Sequence, residues 1–160
     1  MKKLILILLL FGFSAVGEEF SRTGLEGIAK DGLKISVNGE TFVPTFDVKA
    51  IRNQVELKLR PAGIRVNNRA GNFIYVTAQP VLTNKRTDNF GDRILAYALR
   101  VKAYRRDVTF EANNKQYRCS AAVWDRGGIA SQNKLRDAIN EFMDQFLLDY
   151  LKANPKKKED

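Results

Sequence analysis

The chain has 160 residues, 27 of them Lys or Arg against 18 Asp or Glu, giving a formal charge of +9, with a single cysteine and no histidine. Without histidine there is no Ser-His-Asp or Cys-His nucleophile system, and the commonest transition-metal ligand is missing. One cysteine excludes an intramolecular disulfide, so stability must come from packing.

Lys2 and Lys3 precede an apolar run from Leu4 to Phe13, and Ala15-Val16-Gly17 then sets small residues where a signal peptidase reads. This is the pattern of a secretory signal peptide, and the run is too short for the roughly twenty apolar residues of a spanning helix. Cleavage after Gly17 leaves about 143 residues with a charge of about +7, enough for one domain. The expected location is periplasmic or secreted. Glu18-Glu19, not a cysteine, follows the apolar run, so no acyl anchor is expected and the mature chain has no stable membrane anchor.

Residues 18–32 contain Gly24, Gly27 and Gly32 and read as a flexible leader before a domain over 33–153. Leu33, Ile35 and Val37 alternate with Lys34, Ser36 and Asn38, the period of a half-buried strand. Asp47 then caps a helix whose apolar positions are Val48, Ile51, Val55 and Leu59, ended by Pro61 and Gly63. Ile64 to Val66 reads as a short second strand before the turn residues 67–71. Phe73 to Gln79 follows as a third strand, with Ile74, Val76 and Ala78 on one side and Phe73, Tyr75 and Thr77 on the other.

Residues 83–93 read as a long exposed hairpin loop, and Ile94 to Phe110 as a full strand. There Leu95, Tyr97, Leu99, Val101 and Ala103 share one face, with Arg100, Lys102 and Arg106 on the other. Asn113-Asn114 marks a hairpin turn, after which Tyr117, Cys119, Ala121 and Val123 resume the inward face. Ser131 caps a final helix with a wide stripe from Leu135 through Ile139, Met143 and Phe146 to Tyr150. Residues 154–160 form a charged tail.

The order strand, helix, four strands, helix predicts an α+β two-layer sandwich: a mostly antiparallel sheet of four to five strands with two helices on one face. The opposite face stays open, and alternation puts Arg100, Lys102, Tyr104, Arg106, Arg118 and Trp124 there as the candidate binding residues. Arginine forks suit phosphate and aromatic faces suit rings. A polar open face is also what any half-solvated sheet requires. Asp88, Asp92, Glu111 and Asp125 could supply paired carboxylates for acid-base work, though each is more simply a solvating residue of a turn or strand end, and the chain carries no cofactor or metal motif. The chain therefore reads as a non-enzymatic binding or adaptor protein. Its expected partner is an envelope protein or an anionic envelope component, with nucleic acid as the alternative and the oligomeric state open.

Val55-Glu56-Leu57-Lys58-Leu59-Arg60-Pro61-Ala62-Gly63-Ile64-Arg65-Val66 and the ending Phe146-Leu147-Leu148-Asp149-Tyr150-Leu151-Lys152-Ala153-Asn154-Pro155-Lys156 resemble a group of small exported bacterial proteins of unknown function. Pro61 departs from the polar residue expected there, and the resemblance implies no catalytic residues. In architecture the expected layers look like the lipopolysaccharide-assembly lipoprotein and the amino-terminal domain of the Tol-system propeller protein. That likeness implies an envelope role, although the lipoprotein's anchoring cysteine has no counterpart here.

Overall fold

The computed structural model describes residues 24–39, 47–82 and 94–155. The expected signal peptide, the loop 83–93 and residues 156–160 lie outside this set. Along the chain run β1 (Lys34–Gly39), α1 (Val48–Leu59), β2 (Phe73–Leu82), β3 (Ile94–Ala112), β4 (Lys115–Ala130) and α2 (Leu135–Ala153). The sheet has four strands in the order β1-β2-β3-β4. β1 lies parallel to β2 because α1 carries the chain back across the sheet, and β2, β3 and β4 are antiparallel.

The two-layer α+β expectation holds, with four strands, the lower of the two numbers expected. Ile64 to Val66 does not become a strand; only Val66 pairs, in a single parallel bridge to Leu33. The turn that follows leaves no room to extend it. Gly32 makes this crossing possible, since its φ is +86° and a Cβ there would stand 2.6 Å from the Arg65 carbonyl oxygen.

α1 begins as its sequence dictates, with Asp47 Oδ1 accepting from the Ala50 amide at 3.0 Å. It tightens into a 3-10 turn at Arg60–Ala62 and stops at Gly63, whose φ of 76° is left-handed. α2 starts differently from expectation. Ser131 makes no side-chain cap, and a 3-10 turn at Gln132–Lys134 precedes the helix.

One core holds the layers together. Ile51, Val55 and Leu59 of α1 and Ile139, Met143 and Phe146 of α2 meet Ile35, Ile74, Val76, Leu99 and Val101 of the sheet, all buried. At about 1.5–3 kcal/mol for each large side chain fully buried, this cluster is the main stabilising term. Lys58 Nζ to Asp144 Oδ1, 2.6 Å, and Gln54 Nε2 to the Arg136 carbonyl, 2.8 Å, tie the helices at the surface.

The segment expected to be a loose leader is packed from Gly24 onward. Leu25 and Ile28 are wholly buried in the same core. Their polar backbone is held from the far end of the chain: Asn154 Oδ1 accepts from the Gly27 amide at 2.7 Å, and its Nδ2 donates to the Leu25 carbonyl at 3.1 Å. Asn72 Nδ2 donates to the Ile28 carbonyl at 2.7 Å, and an Arg105 guanidinium reaches the Glu26 carbonyl. Asn154 therefore belongs to the domain and not to a tail. Among the described residues no helix is long and apolar enough to cross a membrane.

Candidate binding face

Neither helix covers the second face of the sheet, and strand register arranges its side chains in rows. One row is Lys34, Phe73 and Tyr104; the next is Ser36, Tyr75, Lys102 and Asp125; the third is Asn38, Thr77, Arg100 and Gly127. Alternation alone produces this, because the inward partners Ile35, Ile74, Val76, Leu99, Val101 and Ala103 are claimed by the core.

The first two rows carry a ring cluster. Phe73 and Tyr104 stack with centroids 4.7 Å apart and planes at 12°, and Tyr75 meets Tyr104 edge-on at 6.5 Å. All three rings are half-buried. Asn38 Nδ2 donates to the Tyr75 hydroxyl at 3.1 Å, fixing that ring's tip.

Beside the rings lies an ion cluster. Arg100 grips Asp125 with two nitrogens, Nε at 2.8 Å from Oδ1 and Nη2 at 2.6 Å from Oδ2, while Lys102 Nζ stands 3.7 Å from the same carboxylate. Gly127 lies opposite Arg100, and the guanidinium crosses past it to reach Asp125. The hydrogen bond from Arg100 holds the Asp125 carboxyl below its ordinary range, and the same bond raises the Arg100 guanidinium. No acidic side chain among the described residues pairs with Lys34.

Rings and ions together line a shallow trough of ≈ 750 Å³ bounded by Tyr75, Thr77, Arg100, Lys102, Tyr104 and Ile129. A second hollow of ≈ 440 Å³, lined by Lys34, Ser36, Phe73, Tyr75 and Tyr104, adjoins it and shares both tyrosines. The arrangement can stack a flat or ring-bearing group on the aromatics and neutralise an anion beside it.

Of the six residues expected on this face, Arg100, Lys102 and Tyr104 are together on it. Arg106 lies past the end of the trough, its stem against Gly71 and its backbone amide on Asn72 Oδ1 at 2.9 Å. Arg118 is on the distal part of the β3–β4 hairpin, opposite Thr109.

Trp124 is a correction: it is on the core face, 5 % exposed, edge-on to Phe146 at 5.4 Å and hydrogen-bonded to Asp149. A β-bulge turns it inward. Ala103 pairs with Trp124 and Tyr104 with Ala122, so Val123 is an extra residue and the alternation beyond it inverts. Tyr117 and Cys119, expected inward, are exposed for a different reason: the hairpin carries them past the core, where β3 and β4 pair only with each other.

Lys34, Phe73 and Tyr75 are site residues the candidate set lacked. Their signal was the polar half of β1 and the side of β2 opposite Ile74, both visible as alternation. Asp88 and Asp92 lie outside the described residues. Glu111 sits nine residues along β3 from Lys102, the partner of Asp125, a separation of about 30 Å at strand rise, so these two carboxylates do not converge.

Compared by sequence, the chain matches no protein family and no curated protein. Among solved structures it is similar to a minor lipoprotein from Acinetobacter baumannii, at 13% identity over 75% of this chain and 91% of that one, with a TM-score of 0.28. A likeness that weak carries no argument about function.

Proposed function

We propose that the domain is a binding protein of the bacterial envelope that acts without catalysis, holding an anionic, ring-bearing ligand against its open sheet face. The observation that carries this reading is the cross-strand row structure. It sets the Phe73–Tyr75–Tyr104 cluster directly beside Lys34, Lys102 and Arg100, on the face that neither helix covers. Phosphorylated sugars of envelope glycolipids have the matching chemistry, a ring to stack and an anion to neutralise. The envelope address rests on the export signal read from residues 1–17.

The test is isothermal titration of residues 18–160 with the water-soluble phosphorylated saccharide released from lipopolysaccharide by mild acid. The reading expects saturable binding that Lys34→Glu with Lys102→Glu weakens at least tenfold while the circular dichroism spectrum is unchanged. Equal binding by the variant would sink it. A single-stranded oligonucleotide is the control, since stacked rings beside cations also suit nucleic acid. Tighter binding of the oligonucleotide, with log K linear in log salt, would move the assignment to a polyanion binder.

A further inference from the structure

The open face changes chemistry along its strands. Beyond the row of Thr77, Arg100 and Gly127 come Gln79, Ala98 and Ile129, and after them Val81 with Ala96. Among the described residues, Gln79 is the one polar side chain in these last two rows. Ile129 is 76 % exposed, more than any other large hydrophobic side chain described, and Val81 is 36 % exposed. Neither belongs to the core cluster. The residues flanking Ile129 face the other way: Ala130 is buried, and a Cβ on Gly128 would stand 3.3 Å from the Phe142 ring. Alternation commits Ile129 to the open side, where a polar residue would satisfy solvent better.

Single exposed apolar side chains are ordinary on a protein surface. These are continuous with the candidate site. Ala98 and Ile129 line the same ≈ 750 Å³ trough as Tyr75, Lys102 and Tyr104. Gly127 puts no side chain across it opposite Arg100, and midway along it the charges of Arg100 and Asp125 offset each other. The trough therefore has rings and cations at one end and apolar side chains at the other, the polarity of an anionic amphiphile.

We propose that the ligand is an acylated sugar phosphate bound as a single molecule, with its headgroup on the rings and lysines and one acyl chain laid over Ala98 and Ile129 toward Val81. The proposal rests on the reading of this face as a site for an anionic, ring-bearing group, and adds the chain. From Tyr75 to Val81 the face runs about 20 Å at strand rise, room for a sugar ring and a chain end to end. Chain methylenes that leave water for this strip gain the hydrophobic free energy that a bare sugar phosphate forgoes. A phospholipid brings phosphate and chain but no ring to set against Phe73, Tyr75 and Tyr104.

The experiment titrates residues 18–160 with glucosamine 1-phosphate N-acylated by acetyl, hexanoyl or decanoyl chains, each below its micelle concentration. Full burial of a methylene is worth about fourfold in affinity, and a half-open strip about twofold, so the hexanoyl compound is expected to bind about tenfold tighter than the acetyl one and the decanoyl compound tighter still. Ile129→Ser, at an exposed position, should flatten this rise and leave the acetyl compound unaffected, whereas Lys34→Glu with Lys102→Glu should weaken all three alike. Decanoyl lysophosphatidylglycerol should bind at least tenfold more weakly than the decanoyl sugar phosphate. Acetyl binding with no gain from longer chains would overturn the chain site and leave the headgroup reading standing. A gain that Ile129→Ser does not change would place the chain elsewhere and overturn it too. Chain-dependent binding that Ile129→Ser abolishes but the lysine variant leaves intact would keep the chain site and remove the headgroup reading. Equal or tighter binding of the lysophospholipid would overturn the assignment to a sugar, and no binding by any compound would overturn both.

Discussion

The indole Nε1 of Trp124 donates to Asp149 Oδ2 across 2.9 Å, joining β4 to the last turns of α2. Gln145 Nε2 holds the other oxygen of the same carboxylate at 3.2 Å, and Phe146 packs against the indole edge, so the contact closes one side of the core. Trp124→Phe keeps a ring in place and removes the donor. It should destabilise the domain by about 1–2 kcal/mol in urea unfolding followed by circular dichroism, and leave ligand affinity unchanged. A loss of binding without a loss of stability would return Trp124 to the open face.

Asn154 anchors the opening segment to the end of α2 through the Gly27 amide and the Leu25 carbonyl. Asn154→Ala removes the side-chain partner of the exposed Gly27 amide and leaves the Leu25 carbonyl with the Ile28 amide alone, at 3.2 Å. A cost of about 0.5–1.5 kcal/mol is expected, with faster amide exchange concentrated at Gly27 and Ile28 and little change in β2 or β3. Uniform acceleration across the sheet would show that the clamp is not local.

Phe146 is buried where α2, β4 and the sheet meet, touching both Trp124 and Tyr150. Truncation to Ala should cost about 3–5 kcal/mol, because the cavity lies between a helix and strands that cannot both collapse into it. Denaturant midpoints with an unchanged m-value would measure it; a cost under about 1 kcal/mol would contradict the packing described.

Asp125 supplies the pH dependence of the open face. Its carboxyl is held low chiefly by the hydrogen bond from Arg100, so the folded state favours the ionised form. The pair's contribution is therefore complete above the ordinary carboxylate range, about pH 4, and is lost as pH falls through the lowered folded value. Solvent exposure keeps it small. A carbon-detected titration should place the Asp125 midpoint below 3.8 in the native chain and bring it up toward that value in Arg100→Gln. No difference between the two chains would mean the ion pair does not form in solution.

The central parts of β2 and β3 were legible in the sequence because each has a regular period of two: Ile74, Val76 and Ala78 against Phe73, Tyr75 and Thr77, and Tyr97, Leu99, Val101 and Ala103 against Arg100 and Lys102. β4 was legible in extent and not in facing. A single extra residue reverses everything after it, and the only trace is two large apolar side chains side by side, Val123 and Trp124. The opening segment was misread for another reason. Its glycines suggested looseness, whereas Leu25 and Ile28, three residues apart, were the real signal, and the asparagine that secures them lies more than 120 residues away. Long-range polar contacts of this kind have no local pattern.

The central claim is that ligand meets the open sheet face. Its most direct test is an amide and side-chain NMR titration of residues 18–160 with the phosphorylated saccharide of lipopolysaccharide. The account predicts saturable shifts confined to Lys34, Phe73, Tyr75, Arg100, Lys102 and Tyr104, with the Trp124 indole signal unmoved. Shifts on the α1–α2 surface, or none at saturating saccharide, would contradict it.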